Sequence, residues 1–230
     1  MSKHLKRFFA PKTWKIKRKG ITFIAKPKPG THKIDRSIPL SVILRDMLNY
    51  AQTKREAKYI LGKKGIMVDG TIRVNHSFPV GLFDVLTVSE LDESFRVVLD
   101  KKGKISLVKI EKNEGKIKPY QIIGKNRIKG KTQLNLSSGK NMIVDDDKFK
   151  VGDTIFIGTG KKGQITATVP LQKDALVYLT GGKHIGQTGK VQEIKGEKIV
   201  CRTENNEDVE TLRSYAFPIG KDKPMIKLSA

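Results

Sequence analysis

Forty residues into this chain a single carboxylate, Asp35, has appeared against twelve lysines and arginines. No segment with that imbalance packs on its own, because its charges repel one another and its apolar residues follow neither a helical nor a strand period. Pro11, Pro27, Pro29 and Gly30 interrupt any helix across it. Residues 1–36 therefore read as an extended basic arm whose order comes from its partner. Phe8, Phe9, Trp14 and Phe23 are interleaved with the charges. Such aromatics can stack on unpaired bases or pin the arm to the rest of the protein, and both roles stand open at this point.

The same bias runs through all 230 residues, which hold 46 Lys and Arg against 23 Asp and Glu, a formal charge of +23. A charge that large calls for a polyanion, and nucleic acid neutralises it by giving up condensed counterions. A membrane surface would require an amphipathic basic helix with a Trp, Phe or Leu face, and the pattern contains none. The longest apolar runs, such as Ala175 to Leu179, fall far short of a bilayer span. The basic N-terminus never develops the apolar middle of a signal peptide, which points to the cytoplasm. A lone Cys201 and the scattered His4, His32, His76 and His184 exclude intrachain disulfides and a Cys-rich metal site. No cofactor, metal or small-molecule substrate is expected.

Behind the arm, Ile43, Leu44, Met47 and Leu48 recur at helical spacing and predict an amphipathic helix over 41–51. Thr53 and Glu56 form a capping box that opens a second helix, with Ala57, Ile60 and Leu61 inward and Gly62 as its stop. Lys54 and Arg55 occupy the first turn of that helix, where the macrodipole disfavours cations, and Lys58 lies one turn on. Lys63 and Lys64 extend the patch. A helix start flanked by cations suits phosphate, and a local rule broken in this way is expected where function chooses the residue. The run IMVDGTIRV at 66–74 predicts a hairpin turning at Asp69-Gly70. Beyond Leu91, short alternating stretches divided by Gly, Asn and Asp predict only strands. Within them, Gly181, Gly182, Gly186 and Gly189 crowd the run VYLTGGKHIGQTGKV, where glycine signals positive φ or a close backbone approach.

The stretch 37–90 resembles the S-four RNA-binding domain. The resemblance is carried by the first helix, TKREA at 53–57, GKKG at 62–65, the hairpin, and VGLFDVLTV at 80–88, with Asp69 where Asn is more usual. The glycine-rich run is similar to a KOW motif, with Gly186 as its central glycine and Lys183, His184 and Lys190 near the RNA-facing loop. HLKRFFAPKTW at 4–14, PGTHKIDRSIPL at 29–40 and RSYAFPIG at 213–220 complete an order of parts similar to the archaeal and eukaryotic S-four-e family of small-subunit ribosomal proteins.

That resemblance implies an α+β chain. Its parts would be a two-helix plus hairpin domain over 37–90, a central β domain over 91–170, a KOW SH3-like barrel over 171–218 and a tail over 219–230. It implies a structural role on small-subunit ribosomal RNA beside neighbouring ribosomal proteins. Taken with the charge pattern, the candidate RNA contacts are Lys54, Arg55, Lys58, Lys63 and Lys64 on the second helix and its turn. Lys6, Arg7, Lys12, Trp14, Lys17 and Arg18 join them from the arm, and Lys183, His184 and Lys190 from the glycine-rich loop.

S-four domains also accompany RNA-modifying and tRNA-charging enzymes, so catalysis has to be tested on the residues. GGKHIGQT at 181–188 comes close to a phosphate loop but carries Gln187 where the phosphate-binding Lys belongs, and GTGKKGQ at 158–164 fails likewise. His184-Ile185-Gly186 lacks the second His of the synthetase signature. The adjacent carboxylates Asp145, Asp146 and Asp147 repel one another and read as a solvated turn rather than a magnesium site. No Ser/His/Asp constellation accompanies them. The remaining alternatives are an assembly or transcription-elongation factor, or the RNA-binding part of a modifying enzyme.

Overall fold

The computed structural model describes residues 4–128, 130–145, 148–159, 163–204 and 206–228. Asp146 and Asp147 of the acidic run, and Gly160, Lys161 and Lys162 of the GTGKKGQ stretch, lie outside the described residues. The chain divides into two compact units, Met1–Val98 with Lys104–Lys116, and Leu99–Gly103 with Ile117–Ser229.

The first unit is organised by a five-stranded sheet. Its strands run in the order Thr71–Ile72, Ile66–Val68, Val85–Val88, Glu93–Leu99, Ile105–Ile110. The Asp69-Gly70 turn has φ of 51° and 72°, the two positive values that a tight two-residue hairpin needs. It is clamped to the next strand, because the Asp69 N–H donates to Val85 O and the Val85 N–H donates to Asp69 Oδ1, both at 2.9 Å. The unit also holds two separate strand pairs, Leu5–Lys6 with Phe23–Ile24, and Ser37–Pro39 with Pro79–Gly81. Arg96 is wholly buried, its guanidinium donating to Glu114 Oε1 at 3.0 Å and to the Glu114 carbonyl at 2.9 Å.

The second unit holds two five-stranded sheets. One runs Asn141–Val144, Lys131–Leu136, Ile117–Ile128, Thr154–Gly158, Ile165–Val169, over a core of Tyr120, Ile122, Leu134, Leu136, Ile155 and Ile157. The other runs Asp208–Leu212, Lys198–Thr203, Thr188–Lys195, Leu176–Leu179, Ala216–Gly220. Leu171, Val177, Leu179, Val191, Ile199, Cys201 and Ala216 are buried beneath it.

The α+β class inferred from the sequence is therefore corrected. Nineteen strands in several sheets stand against two short α-helices among the described residues, so the chain is mostly β. The helix expected over 41–51 is the clearest loss. It is reduced to one α-turn, Leu40–Val42 (α1), continued by a wider π-type turn, Ile43–Met47. Its Leu48 N–H reaches back five residues to Ile43 O at 2.9 Å. Asn49 then takes φ of 58°, and the Tyr50 and Ala51 N–H groups both turn back onto Leu44 O. Ile43 and Leu44 are buried, so the apolar stripe is present even though most of the helix is not. The second helix, Lys54–Gly62 (α2), spans nine residues.

The N-terminal residues also make contacts that their composition does not advertise. Trp14 is 1% exposed, with its indole N–H donating to Ser37 O at 2.7 Å. Arg7 is buried against Asp46 at 2.7 Å. Arg18 donates to the Ala10 and Pro11 carbonyls, closing residues 8–18 into a compact turn. Between strand pairs and buried side chains, residues 4–36 have protein partners where an unpartnered arm was expected.

Candidate nucleic-acid interface

The α2 helix begins as its residues dictate. Thr53 Oγ1 accepts from the Glu56 N–H at 3.2 Å, as a capping box requires. The returning Glu56 carboxylate reaches one residue further than the simplest box, accepting from the Gln52 N–H at 2.8 Å and from the Thr53 hydroxyl at 2.7 Å. Those two hydrogen bonds, Gln52 first, hold the Glu56 carboxyl below its usual range. The first-turn acid is thus committed to the cap.

Ala57 and Leu61 face inward and are fully buried, while Lys54, Arg55, Lys58, Lys63 and Lys64 are all exposed. No carboxylate among the described residues forms an ion pair with any of the five. Lys63 Nζ lies 5.0 Å from the ring centre of Tyr59, itself 66% exposed, so the patch includes a flat apolar face. His76, expected only as a scattered histidine, lies close enough to feel the patch. Burial first, and then the charges of Lys54, Lys58 and Lys28, push its pKa down.

Lys64 sits at φ of 60°, the left-handed position that ends a helix and that glycine fills most comfortably. Gly62, read from the sequence as the stop, is instead the last helical residue. A Lys64→Gly substitution should raise stability by about 0.5–1 kcal/mol by relieving that strain while weakening polyanion binding. Thermal melting and RNA titration of the same variant check the two opposite signs. A variant that is neither more stable nor weaker in binding shows that Lys64 is placed there for neither reason.

The remaining candidates fall into three situations. Lys6, Lys12 and Lys17 are exposed and available to a partner. Arg7, Trp14 and Arg18 are engaged by protein groups, and no face of the Trp14 ring is open to a base. Phe8 and Phe9, 74% and 70% exposed, form an edge-to-face pair with centroids 5.8 Å apart. The aromatics thus divide the two roles left open by the sequence: Trp14 pins, while Phe8, Phe9 and the half-exposed Phe23 present rings to solvent.

In the second unit, Lys183 is exposed and His184 half-buried on the loop between Leu176–Leu179 and Thr188–Lys195. Lys190 lies on the following strand and is ion-paired with Asp222 at 2.9 Å, a hydrogen bond that raises its pKa. Gly186 has φ of 80°, and a Cβ there would fall 2.3 Å from Asp100 O. The loop is thus held where only glycine fits.

No cluster of three or more His, Cys, Asp or Glu suited to a metal occurs among the described residues, and no helix among them is long and apolar enough to cross a membrane. What the geometry defines is a mostly β, strongly basic scaffold whose surface carries a cluster of cations with no carboxylate partner among the described residues.

Comparison with known proteins gives that class a family. Residues 1–35 match the RS4NT (NUC023) domain and residues 91–163 match the ribosomal family S4e. The chain is 42% identical to small ribosomal subunit protein eS4 of Methanosphaera stadtmanae, over 98% of this chain and 95% of the relative. It is 40% identical to the protein of the same name from Methanococcus aeolicus, over 98% and 97%. The crystal structure of the 30S ribosomal protein S4e from Thermoplasma acidophilum superposes with a TM-score of 0.72 at 30% identity, covering 84% of this chain and all of the other. The chain belongs to the ribosomal protein S4e family.

Proposed function

We propose that this protein is a structural component of the small ribosomal subunit in the cytoplasm, binding ribosomal RNA by charge and shape and carrying out no catalysis. The observation that carries the reading is the exposed, unpaired cation cluster at the start and end of α2, set on a chain of net charge +23. Family membership supplies the ribosome, since the relatives are named as small-subunit proteins. In this reading the S-four-like segment supplies Lys54, Arg55, Lys58, Lys63 and Lys64 to structured RNA. Lys6, Lys12 and Lys17 add phosphate contacts. The KOW-like loop offers Lys183 and His184 as a second contact, with neighbouring ribosomal proteins around it.

Titration of the chain with small-subunit RNA at several salt concentrations tests this directly. Log K should fall linearly with log salt, by about 0.7–0.9 per neutralised phosphate. Replacing Lys54 and Arg55 together by Glu should flatten that slope by about 2 and weaken binding to all RNA sequences alike. The fold should hold, because the exchange restores the charge sign preferred at a helix start. A slope unchanged by the double substitution removes α2 from the interface, and a flat salt profile in the parent chain removes the electrostatic reading altogether.

A further inference from the structure

Beside the start of α2 lies a cavity of about 310 Å³ whose walls include Phe23, Lys26, Ser41, Arg45, Lys54 and His76. It is built by long-range backbone pairing. The Ser41 N–H donates to His76 O at 3.0 Å, and the Lys28 N–H donates to Ser77 O at 2.9 Å, which draws the segment after Phe23 alongside α1. Every ionisable group on its walls is a lysine, an arginine or a histidine. The Asp46 carboxylate, adjacent to Arg45 in sequence, is held by Arg7 and Arg45 at 2.7 Å each and does not line the cavity.

One wall residue also carries an unmade hydrogen bond. Ser41, one of the wall residues, is 4% exposed, and its buried hydroxyl has no protein hydrogen-bond partner. Buried hydroxyls are rarely left so, since the unmade bond destabilises the fold. A lone phosphate would satisfy the cations but would not use the volume or the rings of Phe23 and His76. A nucleotide presents both halves at once, an anion for the ammonium and guanidinium groups and a flat base for an aromatic face. Burial first, and then the charges of Lys54, Lys58 and Lys28, push the His76 pKa down and favour its neutral imidazole. It can then donate and accept a hydrogen bond at a base edge.

We propose that this cavity takes one unstacked nucleotide of the bound RNA, its phosphate against Lys54 and Arg45 and its base against Phe23 and His76. This rests on the RNA-binding reading and deepens it, adding a pocket that reads a turned-out nucleotide to a surface that reads charge.

The test titrates the full-length protein with each of the four ribonucleoside 5′-monophosphates, with ribose 5-phosphate and with inorganic phosphate, followed by NMR. At least one mononucleotide should give saturable shifts centred on Ser41, Arg45, Lys54 and His76, and bind about fivefold or more tightly than either phosphate without a base. Ser41→Met, which fills the cavity, should weaken that binding about tenfold or more. His76→Leu, at a half-buried position that disturbs packing less, should do the same and stands in if Ser41→Met fails to fold. Equal affinities for nucleotide and inorganic phosphate overturn the proposal, as do shifts scattered over the basic surface or binding unaltered by either variant. Full salt-dependent RNA binding without any nucleotide binding eliminates the pocket alone. Nucleotide binding in a chain with no affinity for RNA refutes the RNA reading and makes a free nucleotide the ligand.

Discussion

Trp14→Ala should destabilise the first unit by about 3–5 kcal/mol, the range for removing a large buried aromatic. Trp14 is 1% exposed and its indole N–H donates to Ser37 O at 2.7 Å, so the substitution leaves both a void and an orphaned carbonyl. The loss has a local signature. Lys12, Lys15 and Lys17 flank the anchor, and trypsin should cut there in the variant well before it cuts within 37–90, whereas the parent chain should resist. Trp14→Phe keeps most of the volume and gives up the hydrogen bond, at about 1–3 kcal/mol. Melting curves and timed digests read by mass spectrometry check both. A Trp14→Ala protein as stable and as resistant as the parent shows that the N-terminal residues are not anchored through this ring.

In the second unit the largest single effect is expected at Gly186. Its φ of 80° and the 2.3 Å that would separate a Cβ from Asp100 O mean that even alanine meets backbone rather than a side chain that can swing away. Gly186→Ala should cost about 2–4 kcal/mol, combining left-handed strain with overpacking. Gly196 makes the matching control, because it too has positive φ, 58°, but apart from its chain neighbours nothing lies within 4 Å of where a Cβ would stand. Gly196→Ala should therefore show the strain alone, about 1–2 kcal/mol. Denaturant midpoints of the two variants measure the difference, and equal losses at both sites mean that the contact with Asp100 is dispensable.

Features whose cause lies within a few residues were legible in the sequence. Asp69-Gly70 marks its hairpin because two adjacent residues must both take positive φ, and Thr53 with Glu56 marks its cap because the partners are one turn apart. Lys131–Leu136 follows from alternation, whereas the long central strand Ile117–Ile128 and the strand Ile165–Val169 were not marked by it. The short first helix was not legible, because the stripe of Ile43, Leu44, Met47 and Leu48 has the same spacing whether or not Asn49 turns left-handed behind it. Its real end is set by Leu44 O accepting two N–H groups, which no composition reveals. The α+β class came from the family resemblance, and it fails because the strands of both units outweigh the two short helices.

The candidate site divides along the same line. The cations of α2 stand out because they break a local electrostatic preference. Phe23, Ser41 and His76 share no motif and come together only through pairing across some fifty residues of chain, so nothing near any one of them announces the cavity. Trp14 had two physically reasonable roles, and only the position of the Ser37 carbonyl, 23 residues away, decides between them.

The Ile105 N–H donates to Thr13 O at 2.7 Å, which ties the start of the chain to a strand made about ninety residues later. At a synthesis rate of about 5–20 residues per second, those partners are separated by about 5–18 s. Ser37 and Asp46, the partners of Trp14 and Arg7, are made within about forty residues, far sooner than Ile105. The N-terminal residues are therefore closed in two stages, side chains first against near neighbours and backbone last against a distant strand.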